Sequence, residues 1–179
     1  MKIEFVHEYD ISNELSAKIE ELLNDSFPEI YPKNRIYFKQ LPHFRFLAYG
    51  QENRLIGHAG LDYRVMNLNG KPLRILGVID LCVAGNAQSQ GVGSSLLLEI
   101  DAFTEGRKID FILLFADKMN LYVKNGYQPV KNLCKWLKIN QETHETKGIG
   151  SEHIEGLMIK KAGKANWEEG ELDLLGYLF

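Results

Sequence analysis

The chain has 179 residues, enough for one domain with a sizeable core. Its apolar fraction of 45% and charged fraction of 25% are those of a globular protein in water. A net charge of −3 offers no basic footprint for nucleic acid, and no apolar run reaches the length of a membrane span.

Lys2 to His7 alternates as a first or edge strand. Asp10 or Ser12 can cap a helix whose apolar face is Leu15, Ile19, Leu22 and Leu23, and Pro28 stops it. Ser26 to Tyr31 reads as a loop, with a short helix near Arg35 to Lys39 that Pro42 ends. Phe44 to Ala48 and Leu55 to Met66 read as strands around the turn Gly50 to Asn53. Asn69-Gly70 is a type I′ hairpin signal that leads into a third strand, Leu73 to Val83. A helix follows from Gly91 to Gly106, then an apolar strand, Phe111 to Phe115. Asp117 to Asn125 reads as a short helix with Gly126 at its C-cap. Tyr127 to Ile139 resumes strand pattern. Asn140 to Ser151 is polar and turn-rich, which predicts a surface loop. Leu157 to Ile159 is a short strand, Ala162 to Glu169 a loop, and Leu172 to Phe179 a last apolar strand. This order predicts a mixed α/β sheet with helices packed on it, as one domain over residues 1–179. The N-terminus lacks a signal peptide's apolar stretch, so the cytoplasm is the expected compartment. Cys82 and Cys134, both in apolar runs, read as buried thiols of a reducing compartment; one disulfide between them is the alternative.

The chemistry is concentrated between Leu76 and Phe103. Val78, Ile79, Leu81, Cys82 and Val83 form an apolar run interrupted by Asp80. A small polar loop follows, and Gly91 and Gly93 open a helix with Val92, Leu96, Ile100 and Phe103 on one face. A strand that enters a helix through glycines aims bare N–H groups at one spot, where the helix dipole adds positive potential. That is a phosphate site. It is not a P-loop, because Ser94 and Ser95 follow Gly93 and there is no Lys. It is not the dinucleotide fingerprint either, because Leu96 holds the third glycine position.

Gln88-x-x-Gly91-x-Gly93, after a strand ending in Val83, resembles the acetyl-CoA pyrophosphate loop of the GNAT acetyltransferase superfamily. Asn120 to Tyr127 (NLYVKNGY) resembles that superfamily's second signature, Y-x-x-x-G-[FY]. The resemblance implies a GNAT-like fold: a twisted, mostly antiparallel central sheet with helices on both faces. It implies an N-acetyltransferase that uses acetyl-CoA, with no metal, to acetylate a primary amine of a small molecule by direct attack. Tyr122 then protonates the leaving thiolate, which a phenol of pKa about 10 can do for a thiol of about 8.5. Backbone groups of Leu81, Cys82 and Val83 hold the pantetheine arm and polarise the thioester. Amides of Gln88, Ser89, Gln90, Gly91, Val92, Gly93 and Ser94 hold the pyrophosphate. Where the family often has a catalytic Glu, this chain has Ile79. Asp80 beside it has two readings, general base or structural carboxylate. His58 is a second base candidate by its pKa, set against the plainer reading of a hydrogen-bonded core histidine.

Residues Ile56 to Leu61, the hairpin Leu68 to Lys71, Leu73 to Gly77 and the tail Trp167 to Phe179 loosely resemble aminoglycoside 2′-N-acetyltransferases, and the tail also resembles nodulation acyltransferases. That likeness implies acceptor binding by Glu171, Asp173 and the Phe179 carboxylate; solvated strand charges are the alternative for the two acids. A CoA-binding sensor without catalysis, or transfer of a longer acyl chain, are the rival functions. The apolar end Leu178-Phe179 is compatible with a homodimer.

Overall fold

The computed structural model describes residues 1–28 and 31–179. Two compact units form, one from residues 1–62 with 78–103 and the other from residues 63–77 with 104–179. Two long strands, β3 (Leu55–Leu68) and β4 (Lys71–Val83), contribute to both.

The first unit contains β1 (Lys2–His7), α1 (Asn13–Ser26), β2 (Phe44–Tyr49), the start of β3, the end of β4, and α2 (Val92–Thr104). β1 runs antiparallel to β2, and β2 antiparallel to β3 with Phe46 opposite Ala59 and Leu47 opposite His58. Side chains alternate along β2, so each face receives its own helix. Phe44 and Phe46 meet Phe103 of α2 at ring separations of 5.0 and 6.0 Å. Gly57 lies on that same face, and a Cβ there would sit 2.9 Å from the Val92 side chain. Glycine at this position lets α2 approach the sheet. The opposite face carries Leu47, Tyr49, Leu55 and Cys82, which pack with Ile19, Leu22 and Leu23 of α1. Ser12 caps α1 by accepting the Leu15 N–H at 3.2 Å, as its sequence position predicts.

The second unit adds β5 (Phe111–Phe115), α3 (Asn120–Lys124), β6 (Gln128–Pro129), β7 (Asn132–Ile139), β8 (Thr146–His153), β9 (Leu157–Lys161) and β10 (Gly170–Tyr177). The strand order is β6-β9-β5-β4-β3-β10-β7-β8. β4 pairs with β5 in parallel, as β10 does with β7, while β5 with β9 and β7 with β8 are antiparallel. Asn69 and Gly70 have φ of 52° and 83°, the paired positive angles of the expected type I′ turn. The core gathers Met66, Ile75, Phe111, Leu113, Cys134, Leu157, Ile159 and Leu172. Both cysteines are free and buried, and burial pushes the Cys82 thiol up to about 12. The fold is thus mixed α/β, with a mostly antiparallel sheet.

Four expectations are corrected. Arg35 to Lys39 forms bends and irregular chain, not a helix. Asn34 stands at φ 60°, and the Ile36 carbonyl accepts from Arg45 at 2.7 Å instead of from a helical amide. Asn140 to Ser151 is not all loop, because β8 starts at Thr146 and pairs with β7, Trp136 opposite Gly150. Its residues are exposed except Gly150, so no apolar alternation marked it. The strand expected over Tyr127 to Ile139 divides into β6 and β7, which pair with different neighbours. The loop expected over Ser26 to Tyr31 begins later, since α1 includes Ser26, and its residues Glu29 and Ile30 lie outside the described residues.

Candidate functional site

β4 leads into the loop predicted to bind phosphate. Its exit is pinned by the Ala84 N–H donating to the Ile56 carbonyl at 2.9 Å. A single 3-10 turn, Gly85–Ala87, follows, and buried Ala87 and Val92 anchor the loop at both ends. Gln88 and Gln90 donate their side-chain amides to the carbonyls of Val83 and Asn86, at 3.3 and 2.8 Å. The glutamines thereby brace the loop from within. Ser89 and Gly91 take φ of 60° and 83°. The first bond of α2 joins the Ser95 N–H to the Gly91 carbonyl at 2.9 Å. The amides of Val92, Gly93 and Ser94 therefore precede the helix's own bonding and face its open end. Nothing lies within 4 Å of where a Gly91 Cβ would be, so the space before the loop is open.

A buried polar network underlies β4 in the same unit. Asp80 sits at φ 49°, a left-handed residue inside a strand. Its carboxylate accepts from the Tyr31 hydroxyl at 3.2 Å. Burial pushes the Asp80 carboxyl above the ordinary carboxylate range, against the opposing pull of the Tyr31 hydrogen bond, Arg45 and Lys39. Burial likewise raises the Tyr31 phenol, and Asp80 adds to the effect.

His58 is completely buried between two partners. Its Nδ1 lies 2.9 Å from the Asp80 carbonyl oxygen and its Nε2 lies 2.8 Å from Arg45 Nη1. Arg45 is 1% exposed, and its guanidinium also donates twice to the Glu8 carboxylate at 2.7 and 2.9 Å. An arginine only donates, so Nε2 must accept and Nδ1 must carry the proton. Burial and the neighbouring Arg45 charge push the His58 imidazole down to about 3. A histidine held neutral in the fold but free to protonate near pH 6.5 when unfolded weakens the fold as pH falls below that value. The two-unit step from pH 6.5 to 4.5 corresponds to about 3 kcal/mol. Urea unfolding at pH 7 and 4.5 is expected to show that loss in the wild type and a much smaller one in His58→Asn. Parallel losses in the two proteins would place the acid sensitivity elsewhere.

The remaining predicted residues lie in the second unit. Tyr122 is half-buried in α3, with its ring edge-on to Tyr127 at 5.8 Å. Its carbonyl accepts the N–H groups of Asn125 and Tyr127 at 2.9 and 3.0 Å, which closes the helix around Gly126 at φ 86°. Glu171 is exposed in β10. Asp173 is engaged by Lys135 at 3.3 Å and accepts the Leu175 N–H at 2.9 Å. The Phe179 ring lies on Gly77, where it leaves no room for a Cβ, and the Arg64 guanidinium stands 4.8 Å from its centroid.

A family model described as "Acetyltransferase (GNAT) domain" matches residues 11–130. The chain belongs to the GNAT acetyltransferases. That family is one of acyltransferases that use acetyl-CoA. No curated protein matches the sequence. Among solved structures, a GNAT-family N-acetyltransferase (YhbS) from Escherichia coli in complex with CoA is 16% identical, with TM-score 0.61 over 96% of this chain and 88% of that one. Tetrahymena GCN5 is 15% identical, with TM-score 0.59 over 93% of this chain and all of that one. A GCN5-related N-acetyltransferase from Anabaena variabilis is 17% identical with TM-score 0.62, and this chain spans about a third (34%) of its length. At these identities the likeness is one of fold. This GNAT chain has no helix among its described residues long and apolar enough to cross a membrane.

Tyr31, Arg45, Glu8 and Lys39 were not anticipated around Asp80. Arg45 had a visible signal, as the one charge in the apolar run Phe44 to Tyr49. Tyr31 had none, since its place depends on how the chain returns from α1.

Proposed function

We propose that residues 1–179 act as one catalytic domain, moving an acetyl group from acetyl-CoA to a primary amine of a small molecule. The observation that carries this is the turn from β4 into α2, where the open end of a 13-residue helix follows a glycine with no neighbour in its path. The family model takes in residues of both units, which supports a single working domain.

In the proposed reaction the neutral amine attacks the thioester carbonyl carbon. The C–O π electrons move to oxygen, and backbone N–H groups of Leu81 to Val83 stabilise the oxyanion. Collapse breaks the C–S bond, and the thiolate takes its proton from Tyr122. The ammonium formed on nitrogen releases its proton to Asp80 directly or through water. Amides from Gln88 to Ser94 hold the diphosphate, with Gln88 and Gln90 bracing the loop. The proposed acceptor ligands are Glu171, Asp173 and the Phe179 carboxylate; Lys135 beside Asp173 moderates its charge. The expected setting is the cytoplasm, where both thiols stay reduced, with a homodimer as the assembly to test.

The rival reading is a CoA-binding sensor. It is favoured by Ile79 at the expected base position and by the closure of Asp80 under Tyr31. Thiol release from acetyl-CoA with a panel of aminoglycosides and polyamines decides between them. We expect turnover with at least one amine, slowing as pH falls and the amine protonates. CoA binding without turnover would favour the sensor, and competition by longer acyl-CoA donors would point to a different acyl chain.

A further inference from the structure

We infer that His58, backed by Arg45, is a positioning residue of acyl transfer that fixes the Asp80–Leu81 peptide and polarises the Leu81 N–H toward the thioester oxygen. The inference rests on the reading of β4 as the strand that binds the thioester. It gives a role to a buried histidine that cannot touch substrate.

A left-handed φ is disfavoured for L residues, though least for Asn and Asp, and Asp80 holds 49° inside a strand. A backbone carbonyl taken out of water requires a donor. The His58 Nδ1–H supplies it to the Asp80 oxygen at 2.9 Å. The donor's identity is enforced from behind. Arg45 occupies Nε2 at 2.8 Å, and two bonds to Glu8 and one to the Ile36 carbonyl hold the guanidinium in place. The imidazole therefore has one tautomer and one orientation.

The consequence passes through the peptide bond. The Asp80 carbonyl and the Leu81 N–H belong to one conjugated group. A hydrogen bond to that oxygen draws electron density toward it and makes the N–H a stronger donor, as in any cooperative chain. The chain here runs from the Arg45 cation through a neutral ring to the Asp80 oxygen, and ends on the Leu81 amide. The Asp80 carboxylate plays no part in it, being turned to Tyr31. Backbone polarisation by His58 and proton acceptance by Asp80 are therefore separable functions at one position of β4.

Two His58 variants and the wild type test this. His58→Leu removes the donor. His58→Asn keeps an N–H on the atom that replaces Nδ1 while losing the link to Arg45. Loss of an oxyanion donor lowers turnover by about 10²–10³, and weakening one should cost less. We expect kcat to fall about tenfold in His58→Leu and to recover in large part in His58→Asn, with CoA affinity within about threefold throughout. Isotope-edited infrared spectra of bound acetyl-CoA should show the thioester carbonyl stretch lowered in the wild type and back near its free value in His58→Leu. Nitrogen NMR of the unmodified protein should show Nδ1 protonated and Nε2 bare from about pH 5 to 8, a range in which a free histidine titrates.

An imidazolium or the opposite tautomer overturns the inference without any variant needing to fold. So does bound donor with the same carbonyl stretch in wild type and His58→Leu, or kcat and CoA affinity falling together in both variants. Wild-type protein that binds no acetyl-CoA removes the proposed function and this inference with it. That result is distinct from binding with an unmoved carbonyl, which overturns only the inference.

Discussion

Gly91→Asp is expected to lower CoA affinity by at least about 100-fold while the protein stays folded. The reasoning starts from the space around the residue. No heavy atom lies within 4 Å of an added Cβ, so the side chain meets no wall. The φ of 83° strains any L residue by about 1–2 kcal/mol, least for Asn and Asp. For a chain of this size that is a fall in Tm of about 2–8 °C. The larger effect is electrostatic. The carboxylate would stand at the open end of α2, where the proposed diphosphate lies. Two unit charges about 4 Å apart near a protein surface repel by about 4 kcal/mol, roughly a thousandfold in affinity. Gly91→Asn carries similar backbone strain without the charge and should bind CoA within about tenfold of wild type. Calorimetry on the three proteins separates the terms. Equal affinities for the Asp and Asn variants would remove the loop from the diphosphate site.

The parts of this chain that could be read in advance are those in which local chemistry and the final fold agree. Asn69-Gly70 admits little besides a type I′ turn, and it forms one. Ser12 and Gly126 stand where a cap and a left-handed stop are needed. The turn from Val83 into α2 was legible because small residues and glycines sit between two apolar runs with different periods. What stayed hidden depends on distant neighbours. β8 is a strand because β7 offers it a backbone ladder, not because its own side chains alternate. The stretch near Arg35 is irregular because Arg45 takes the Ile36 carbonyl from across the unit. The site divides in the same way. The loop proposed to hold the diphosphate is a local motif, carried by residues adjacent in sequence. The environment of Asp80 is built by Tyr31, Arg45 and His58 from three separate segments, so composition and spacing left its role open. By its free pKa alone His58 suits a base, and by its place on a strand a hydrogen-bonded core residue. Complete burial beside a cation reverses the first of these arguments, since the ring cannot charge at neutral pH.

Tyr122→Phe should lower kcat by about 10²–10³ and leave CoA affinity within about twofold, because positioned acid catalysis contributes on that order. The substitution removes one oxygen and keeps the ring. The edge-on contact with Tyr127 at 5.8 Å is a ring contact that phenylalanine can keep. The helix closure around Gly126 uses the backbone carbonyl of residue 122, which the change leaves alone. Packing losses should therefore be small, and any fall in turnover belongs to the hydroxyl. Tyr127→Phe is the matching control, since it alters the other member of the same aromatic pair without touching the proposed acid. It should keep kcat within about twofold, a difference of only about 0.4 kcal/mol in barrier height. Turnover and CoA affinity measured on both variants give a clear partition. A selective kcat loss confined to residue 122 marks a proton donor acting as the C–S bond breaks. Equal losses in kcat and affinity, or equal losses in the two variants, would return Tyr122 to a packing role and leave the departing thiolate to find its proton in solvent.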